Sequence, residues 1–393
     1  MDVVVTSNPR QTVPVREVIR QFTPNWFTVT MGTGILALAL NQVPLSTPSL
    51  RGLAEGLWFI NIGLFLIFTT LYVARWLIFP SEARRIFDHS VMSMFFGAVP
   101  MGLATIINGF LSFGVARWGG TAIAIAQALW WMDAAMAVVC GVGVPFLMFT
   151  RQDHSMEKMT AVWLLPIVAA EVTAASAGLL VPYLADPRAG LQMLVLGYAL
   201  WAASVPLAMG ILVILMLRLI THKLPHKDMA ASSWLALGPI GTGALGLLLL
   251  GAAAPRAFTA AGIPGIGEVG AGIGVIGGAV FWGYGIWWIG MAILMTARYV
   301  SEGMPFNLGW WAFTFPLGVY SIASLALARQ TDLPFLTAIG AALVACLAVV
   351  WAVVTARTLH GVWYRYLFVS PCLTHGSMRT DLKSDVATTH DPS

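Results

Sequence analysis

Two carboxylic acids, Asp133 and Glu171, lie within long apolar stretches of the chain. A charged side chain at the centre of a bilayer costs about 2.5–3.5 kcal/mol on insertion scales, so each acid needs a partner or a function. Glu171 is followed by Thr173 and several alanines, which leave room for water, and its role is open between proton coupling and helix packing. Asp133 follows two tryptophans, and we expect it to be a structural residue, hydrogen-bonded or protonated, that links two neighbouring helices.

A second pattern consists of glycines and prolines that recur in alternate apolar stretches. Its members are Gly32, Thr33 and Gly34 in the first stretch, Pro100 and Gly102 in the third, Pro166 in the fifth, Gly238, Pro239 and Gly241 in the seventh, and Pro316 and Gly318 in the ninth. Proline removes a backbone hydrogen bond and kinks a helix, and glycine allows neighbouring groups to approach closely. The two-stretch period predicts that these residues line a pathway inside a ring of odd-numbered helices. The alternative is that they serve helix packing alone.

One aromatic side chain is a candidate for closing such a pathway. Phe315 stands directly before Pro316, and a ring that projects between kinked backbones could exclude water as a hydrophobic gate. Most of the other aromatic residues, including the 16 tryptophans, are expected at lipid-facing or interfacial positions.

The motifs of several other classes of protein are missing from the chain. There is no Walker A run, no H-E-x-x-H zinc motif and no G-x-S-x-G nucleophile elbow. Residues 265–270 match G-x-G-x-x-G, but no strand precedes them, as a dinucleotide site would require. An enzyme embedded in the membrane would also need more than two intramembrane acids. We therefore expect a protein that is not an enzyme, with no cofactor, no metal and no nucleic-acid partner.

The elements that must position these residues are ten apolar stretches, between which most of the charged residues are concentrated. They cover residues 24–44, 56–78, 91–114, 119–149, 160–182, 189–217, 229–252, 271–297, 308–328 and 334–356. Each is long enough to cross a hydrocarbon core of about 30 Å as a helix. The chain is 58% hydrophobic and 10% charged, which leaves little polar surface for a soluble domain. The sequence thus predicts an all-α polytopic membrane protein with ten transmembrane helices arranged as five hairpins.

The basic residues predict how this protein is oriented in the membrane. We assume that the segments between the apolar stretches alternate between the two sides of the membrane. One side then carries only Arg51, Arg117, Arg188, Arg256 and Arg329, and the other side carries the remaining 16 of the 21 Lys and Arg. The positive-inside rule makes the richer face cytoplasmic, and both termini lie on it. We expect a multi-pass protein of the cell (inner) membrane. Residues 1–23 form a cytoplasmic N-terminal segment, 24–357 the ten-helix transport domain and 358–393 a disordered cytoplasmic tail.

Several segments resemble one known family of membrane proteins. Residues 22–35, 100–108, 129–133, 237–243 and 310–318 are similar to motifs of the tellurite-resistance/dicarboxylate transporter family. This family includes tellurite-resistance channels, plant slow anion channels, fungal malate carriers and fungal sulfite efflux pumps. The resemblance covers nearly the whole membrane portion. Asn108 and residues 129–133 and 238–243 look closer to the malate and sulfite branch than to the plant channels.

The resemblance carries expectations about assembly, gate and substrate. It implies a homotrimer, in which each protomer has its own pore lined by its five odd-numbered helices. Phe315 resembles the gating phenylalanine of the slow anion channels, and Phe313 is the second choice should the register shift by two residues. The implied function is transport of a small anion, either sulfite efflux or C4-dicarboxylate (malate) transport, and the alternative is a passive, poorly selective anion channel. With no cation at mid-membrane, backbone dipoles and basic mouths would have to attract the anion.

Overall fold

The computed structural model describes residues 14–44 and 47–373, and these form helices and connecting turns without any strand. Nine helices in this part of the chain are long and apolar enough to cross a membrane. They are α2 Pro48–Ile78, α3 Met92–Trp118, α4 Gly120–Thr150, α5 Ala161–Tyr183, α6 Pro187–His222, α7 Lys227–Ala260, α8 Pro264–Ser301, α9 Leu308–Thr331 and α10 Pro334–Trp363. The all-α polytopic class is confirmed.

The first predicted span forms a shorter helix, α1 Phe27–Gln42, of 16 residues. At 1.5 Å per residue it is about 24 Å long, which is less than the hydrocarbon thickness of about 30 Å. The count of ten transmembrane helices therefore stays a prediction.

The odd-numbered helices form the interior of the molecule. Buried residues make up 72% to 100% of the most apolar windows of α3, α5, α7 and α9, but only 17% to 28% of those of the even-numbered helices. In α1 every residue from 27 to 40 is buried. The even-numbered helices carry exposed large apolar side chains along their length, such as Val139, Val213 and Val349. Such surfaces suit lipid, and the two sets form an inner ring and an outer shell.

The prolines of the inner ring do not kink continuous helices in mid-membrane, as the sequence pattern suggested. Pro166 and Pro316 are at the start of α-helical segments, Leu165–Leu180 and Phe315–Thr331. Pro100 and Pro239 are the third residues of the segments Ala98–Gly109 and Leu237–Ala260. The backbone N–H groups in the first turn of an α-helix make no hydrogen bond within the helix. Proline, which lacks an N–H, therefore fits there without losing a hydrogen bond.

A short 3₁₀ segment precedes the α-helical part of every inner helix. The five segments are Pro24–Trp26, Met92–Gly97, Ala161–Leu164, Lys227–Trp234 and Leu308–Phe313. The α-helical part of each inner helix therefore begins inside the molecule. All five beginnings lie toward the end of the ring at which the described chain starts. The partial positive charge of a helix N-terminus, about +0.5, favours anions there.

The segment that follows α10 is folded as far as the description extends. Helix α10 continues to Trp363, beyond the predicted domain boundary at residue 357. Phe368 stacks on Trp26 with ring centroids 5.0 Å apart, and the backbone N–H of Ser370 donates to Gln21 Oε1 at 2.7 Å. Phe368 and Ser370 thus pack on the N-terminal part of the chain, and the disorder expected for the tail stays a prediction. The remaining parts of the predicted tail and of the N-terminal segment, 374–393 and 1–13, lie outside the described residues.

Candidate functional site

Two cavities lie within the ring of inner helices. The larger, of about 420 Å³, is lined by residues near both ends of the described chain, such as Asn25 and Pro371, and we call it the inner cavity. The smaller, of about 60 Å³, lies further along the ring, and we call it the outer cavity. Both are lined by residues of α1, α3, α5, α7 and α9, and neither is lined by a residue of an even-numbered helix. The two cavities therefore mark a path along the axis of the ring.

Phe315 is the one residue that lines both cavities. Its side chain is buried, with 4% of its surface exposed, and it begins the α-helical segment of α9. A phenyl ring at this point separates two spaces that would otherwise adjoin, and its apolar surface disfavours a continuous column of water.

Phe313 points away from this path. Its ring packs edge-on against Trp234 and Trp310, with centroids 5.7 and 5.8 Å away, and it lines neither cavity. The two candidate gate residues thus occupy different environments, although both are buried.

The glycines and prolines that were predicted to line the pathway lie mostly at contacts between inner helices. Of that set, Pro316 lines the inner cavity, and the other members line neither cavity. A Cβ atom added to Gly34 would lie 2.0 Å from Thr105 Oγ1 of α3, and one added to Gly318 would lie 2.6 Å from the Ile35 side chain of α1. These glycines let neighbouring helices pack closely, and a side chain in their place would push the ring apart.

Two further glycines of the set follow the same arrangement. A Cβ atom added to Gly32 would clash with Thr314 and Trp311 of α9, and one added to Gly102 would clash with Thr30 of α1. The hydroxyl of Thr33 accepts a hydrogen bond from Trp351 Nε1 of α10 at 3.2 Å, so it faces the outer shell.

The charged residues along the path are distributed unequally. Among residues 14–44 and 47–373, Asp228 is the charged residue that lines the inner cavity, and no Lys or Arg of this part lines it. Arg329, near the end of α9, is the charged residue of the same part that lines the outer cavity. The basic mouths suggested by the sequence stay a prediction, and one basic side chain lies at the outer cavity. At the inner end the N-termini of the inner helices are the source of positive potential.

Glu171 is fully buried beside the outer cavity but does not line it. Its carboxyl group accepts hydrogen bonds from the hydroxyls of Thr242 on α7 and Ser204 on α6, the latter at 3.3 Å. Each hydroxyl also has a backbone carbonyl 2.8 Å away, yet has only one hydrogen to donate. A protonated Glu171 would supply the missing hydrogen for one of the two hydroxyls. Thr242, which lines the outer cavity, stands between the carboxyl group and the path.

Asp133 lies further from the path, between α4 and α5. Its Oδ2 accepts a hydrogen bond from Thr173 Oγ1 at 2.7 Å, and its Oδ1 has no partner. Trp130 of the same helix donates to the backbone oxygen of Thr173 at 3.0 Å. This is the link between neighbouring helices on which a structural role of Asp133 depends.

The sequence reasoning did not single out the polar residues of the outer cavity. Gln42, Asn108 and Ser112 line it together with Arg329. Asn108 and Ser112 are four residues apart and so share one helix face, which is a signal that the sequence did contain. Gln42 and Arg329 lie near the ends of apolar stretches, where polar residues are common. No pattern in the sequence indicates that they lie close to Asn108 and Ser112.

The comparison with family models gives one match. Residues 21–359 match the family described as voltage-dependent anion channel. The match covers helices α1 to α9, α10 as far as residue 359, and the whole outer cavity. Of the residues that line the inner cavity, Tyr366, Leu367, Val369 and Pro371 lie beyond it.

Relatives with known names are similar over nearly the whole chain. A sulfite efflux pump of Trichophyton rubrum is 38% identical over 352 residues, which are 89% of this chain and 93% of that protein. An uncharacterized transporter of Methanocaldococcus jannaschii is 30% identical over 90% of this chain and 96% of its own. The malic acid transport protein of Schizosaccharomyces pombe is 21% identical over 81% of this chain and 74% of its own.

Proposed function

Because the chain belongs to the voltage-dependent anion channel family, we propose that it exports sulfite across the cell membrane along the axis of its inner ring. The observation that carries the proposal is the pair of cavities that all five inner helices line and that Phe315 separates. The choice of sulfite rests on the 38% identity to a sulfite efflux pump over 89% of the chain.

The pathway is suited to anions rather than to cations. Helix N-termini at the inner cavity and Arg329 at the outer cavity supply positive potential, against the single carboxylate of Asp228, and no other Lys or Arg among the described residues lines either cavity. From this arrangement we expect a low affinity for the anion and a modest selectivity among small anions. We further propose that the protein is a homotrimer in which each protomer contains its own path.

The runner-up function is transport of a C4-dicarboxylate such as malate. It is favoured by the similarity to a malic acid transport protein, which is weaker at 21% identity. A passive channel of low selectivity is the third alternative, since no tight binding site for a dianion lies at mid-membrane.

The test is efflux from liposomes that contain the purified protein and are loaded with sulfite, malate or chloride. We expect sulfite efflux to exceed malate efflux, with protein-free liposomes as the control for leakage. Malate efflux without sulfite efflux would assign the protein to dicarboxylate transport. Equal rates for all three anions would identify a passive channel of low selectivity.

A further inference from the structure

Four polar side chains around the outer cavity lack hydrogen-bond partners within residues 14–44 and 47–373. They are Gln42 of α1, Asn108 and Ser112 of α3, and Arg329 of α9, and they all line the cavity. The Oδ1 atom of Asn108 is buried without a partner. A buried polar group without a partner costs about 1–3 kcal/mol, and this cost applies to Asn108 Oδ1, since Gln42 and Ser112 are half-buried and Arg329 is exposed. Oδ1 is an acceptor, which a water molecule can satisfy, and the NH₂ group of Asn108 and the three other side chains remain as donors for a ligand.

The packing of the inner helices brings these residues to nearby levels. Gly34 of α1 contacts Thr105 of α3, and Gly318 of α9 contacts Ile35 of α1, as the close Cβ distances at both glycines show. The three helices run in the same direction, so equal numbers of residues beyond these contacts give equal heights along the ring.

Gln42 and Ser112 each lie seven residues beyond such a contact, about 10 Å along the axis. Arg329 lies eleven residues beyond, and the side chains of a helix point back toward its N-terminus. The guanidinium of Arg329 therefore reaches back toward the level of Gln42 and Ser112, and Asn108 lies one turn below.

The backbone around Ser112 is irregular. Residues Phe110–Gly114 form a π-helical turn inside α3, and such turns occur frequently at functional sites. The extra residue of a π turn changes the direction of the side chains that follow, and this turn contains one of the four unpartnered groups.

The chemistry of the cluster fits an oxyanion. A guanidinium and the amide and hydroxyl groups can all donate hydrogen bonds, and no carboxylate lines the outer cavity. Asp332, three residues after Arg329, forms no ion pair with it. The volume of about 60 Å³ has room for a few waters or one small ion, at about 10–15 Å³ for each water.

We propose that the outer cavity is a binding site for one small oxyanion, with Arg329 as its charged ligand and Asn108, Ser112 and Gln42 as neutral donors. This site rests on the proposed function for the route that the anion takes along the ring. It makes Arg329 the residue that sets the preference for a compact oxyanion over a longer dicarboxylate.

The first test measures binding without transport. Sulfite is titrated into the purified protein in lipid nanodiscs, and the rise of the melting temperature reports the affinity. We expect Arg329→Gln to raise the apparent dissociation constant for sulfite at least about tenfold, and Asn108→Leu to raise it less. Arg329→Lys keeps the charge without the planar guanidinium and should fall between the wild type and Arg329→Gln.

The matched control is Arg256→Gln. Arg256 belongs to the same sparse set of basic residues, but its side chain donates to the backbone oxygen of Pro182, and it lines neither cavity. We expect its sulfite affinity to equal that of the wild type. An equal loss in Arg256→Gln would overturn the site, because the effect would then come from overall charge.

The second test separates the site from the proposed function. If Arg329→Gln does not fold, Arg329→Lys and Asn108→Leu carry the test. Unchanged sulfite affinity in every folded variant overturns the site, even if the wild type exports sulfite. A wild type that binds sulfite through Arg329 but carries only malate overturns the proposed function and leaves the site in place.

Discussion

At the scale of single residues, Phe315 and Phe313 form a natural pair for testing the gate. Both are buried phenylalanines at the start of α9, but only Phe315 lines the two cavities. We predict that Phe315→Ala raises anion flux per folded protein severalfold, because removal of the ring joins the inner and outer cavities. The measurement is anion efflux from liposomes at equal protein content.

Phe313→Ala is the matched control for the same chemical change. It removes the ring contacts with Trp234 and Trp310, so it should lower the folded yield without raising flux. A rise of flux in Phe313→Ala alone would move the gate by two residues. Unchanged flux in Phe315→Ala would remove the gate from this position.

Glu171 is the residue at which channel and proton-coupled carrier can be distinguished. Its carboxyl group is separated from the outer cavity by the side chain of Thr242, so a proton could pass between them without the anion touching Glu171. We predict that Glu171→Gln keeps the fold and abolishes accumulation driven by a pH gradient, while downhill flux continues. Glutamine cannot release the proton, but it can still donate one hydrogen bond to the hydroxyl groups.

The contrasting variant is Asp133→Ala. It removes the hydrogen bond from Thr173 Oγ1 to Asp133 that links α5 to α4, while Thr173 keeps its hydrogen bond to the backbone oxygen of Ala169, so the thermal stability should fall while any coupling to pH is preserved. The same pH dependence in Glu171→Gln and wild type would make Glu171 a packing residue and the protein a passive channel.

At the scale of elements, the segment after α10 closes part of the inner mouth. Tyr366, Leu367, Val369 and Pro371 line the inner cavity, and Cys372 is buried with 5% exposure. Burial raises the pKa of the Cys372 thiol, so the thiol is both shielded and protonated. We predict that Cys372 reacts slowly with a maleimide in a Cys140→Ser, Cys346→Ser background. The rate of this reaction should still rise with pH above the usual thiol pKa.

Phe368→Ala tests whether docking of the segment causes this protection. Loss of the stacking on Trp26 should release the segment and accelerate the labelling of Cys372 several-fold. Tyr364→Ala removes an exposed ring of the same segment and should leave the rate unchanged. Equal rates in wild type and Phe368→Ala would show that the segment is not held by this contact.

At the scale of the whole molecule, the distribution of basic residues predicts the orientation of the protein in the membrane. Only five of the 21 Lys and Arg are predicted on the face opposite the termini. By the positive-inside rule we expect the C-terminus in the cytoplasm. We predict that a reporter active only in the cytoplasm is active when fused after Ser393. Activity of a periplasmic reporter at the same position would reverse the orientation and exchange the inner and outer cavities.

The sequence alone determined the class of the protein and the division between inner and outer helices. Apolar length and the placement of charges are local properties, and they predict membrane helices because lipid provides no hydrogen bonds to the backbone. The recurrence of glycine and proline in odd-numbered stretches identified the inner ring, because only closely packed helices need small residues. It also pointed to Phe315 through its position before Pro316.

Only the tertiary structure decided which residues face the path. The direction of a side chain depends on how its helix is rotated against its neighbours, so Gly34 and Gly318 proved to close helix contacts, while Phe315 lies between two cavities. Asn108 and Arg329, which both line the outer cavity, are more than 200 residues apart in the sequence, and the hydrogen bond between Ser370 and Gln21 joins residues that are further apart still. Such contacts arise from the packing of whole helices, and no local pattern in the chain encodes them.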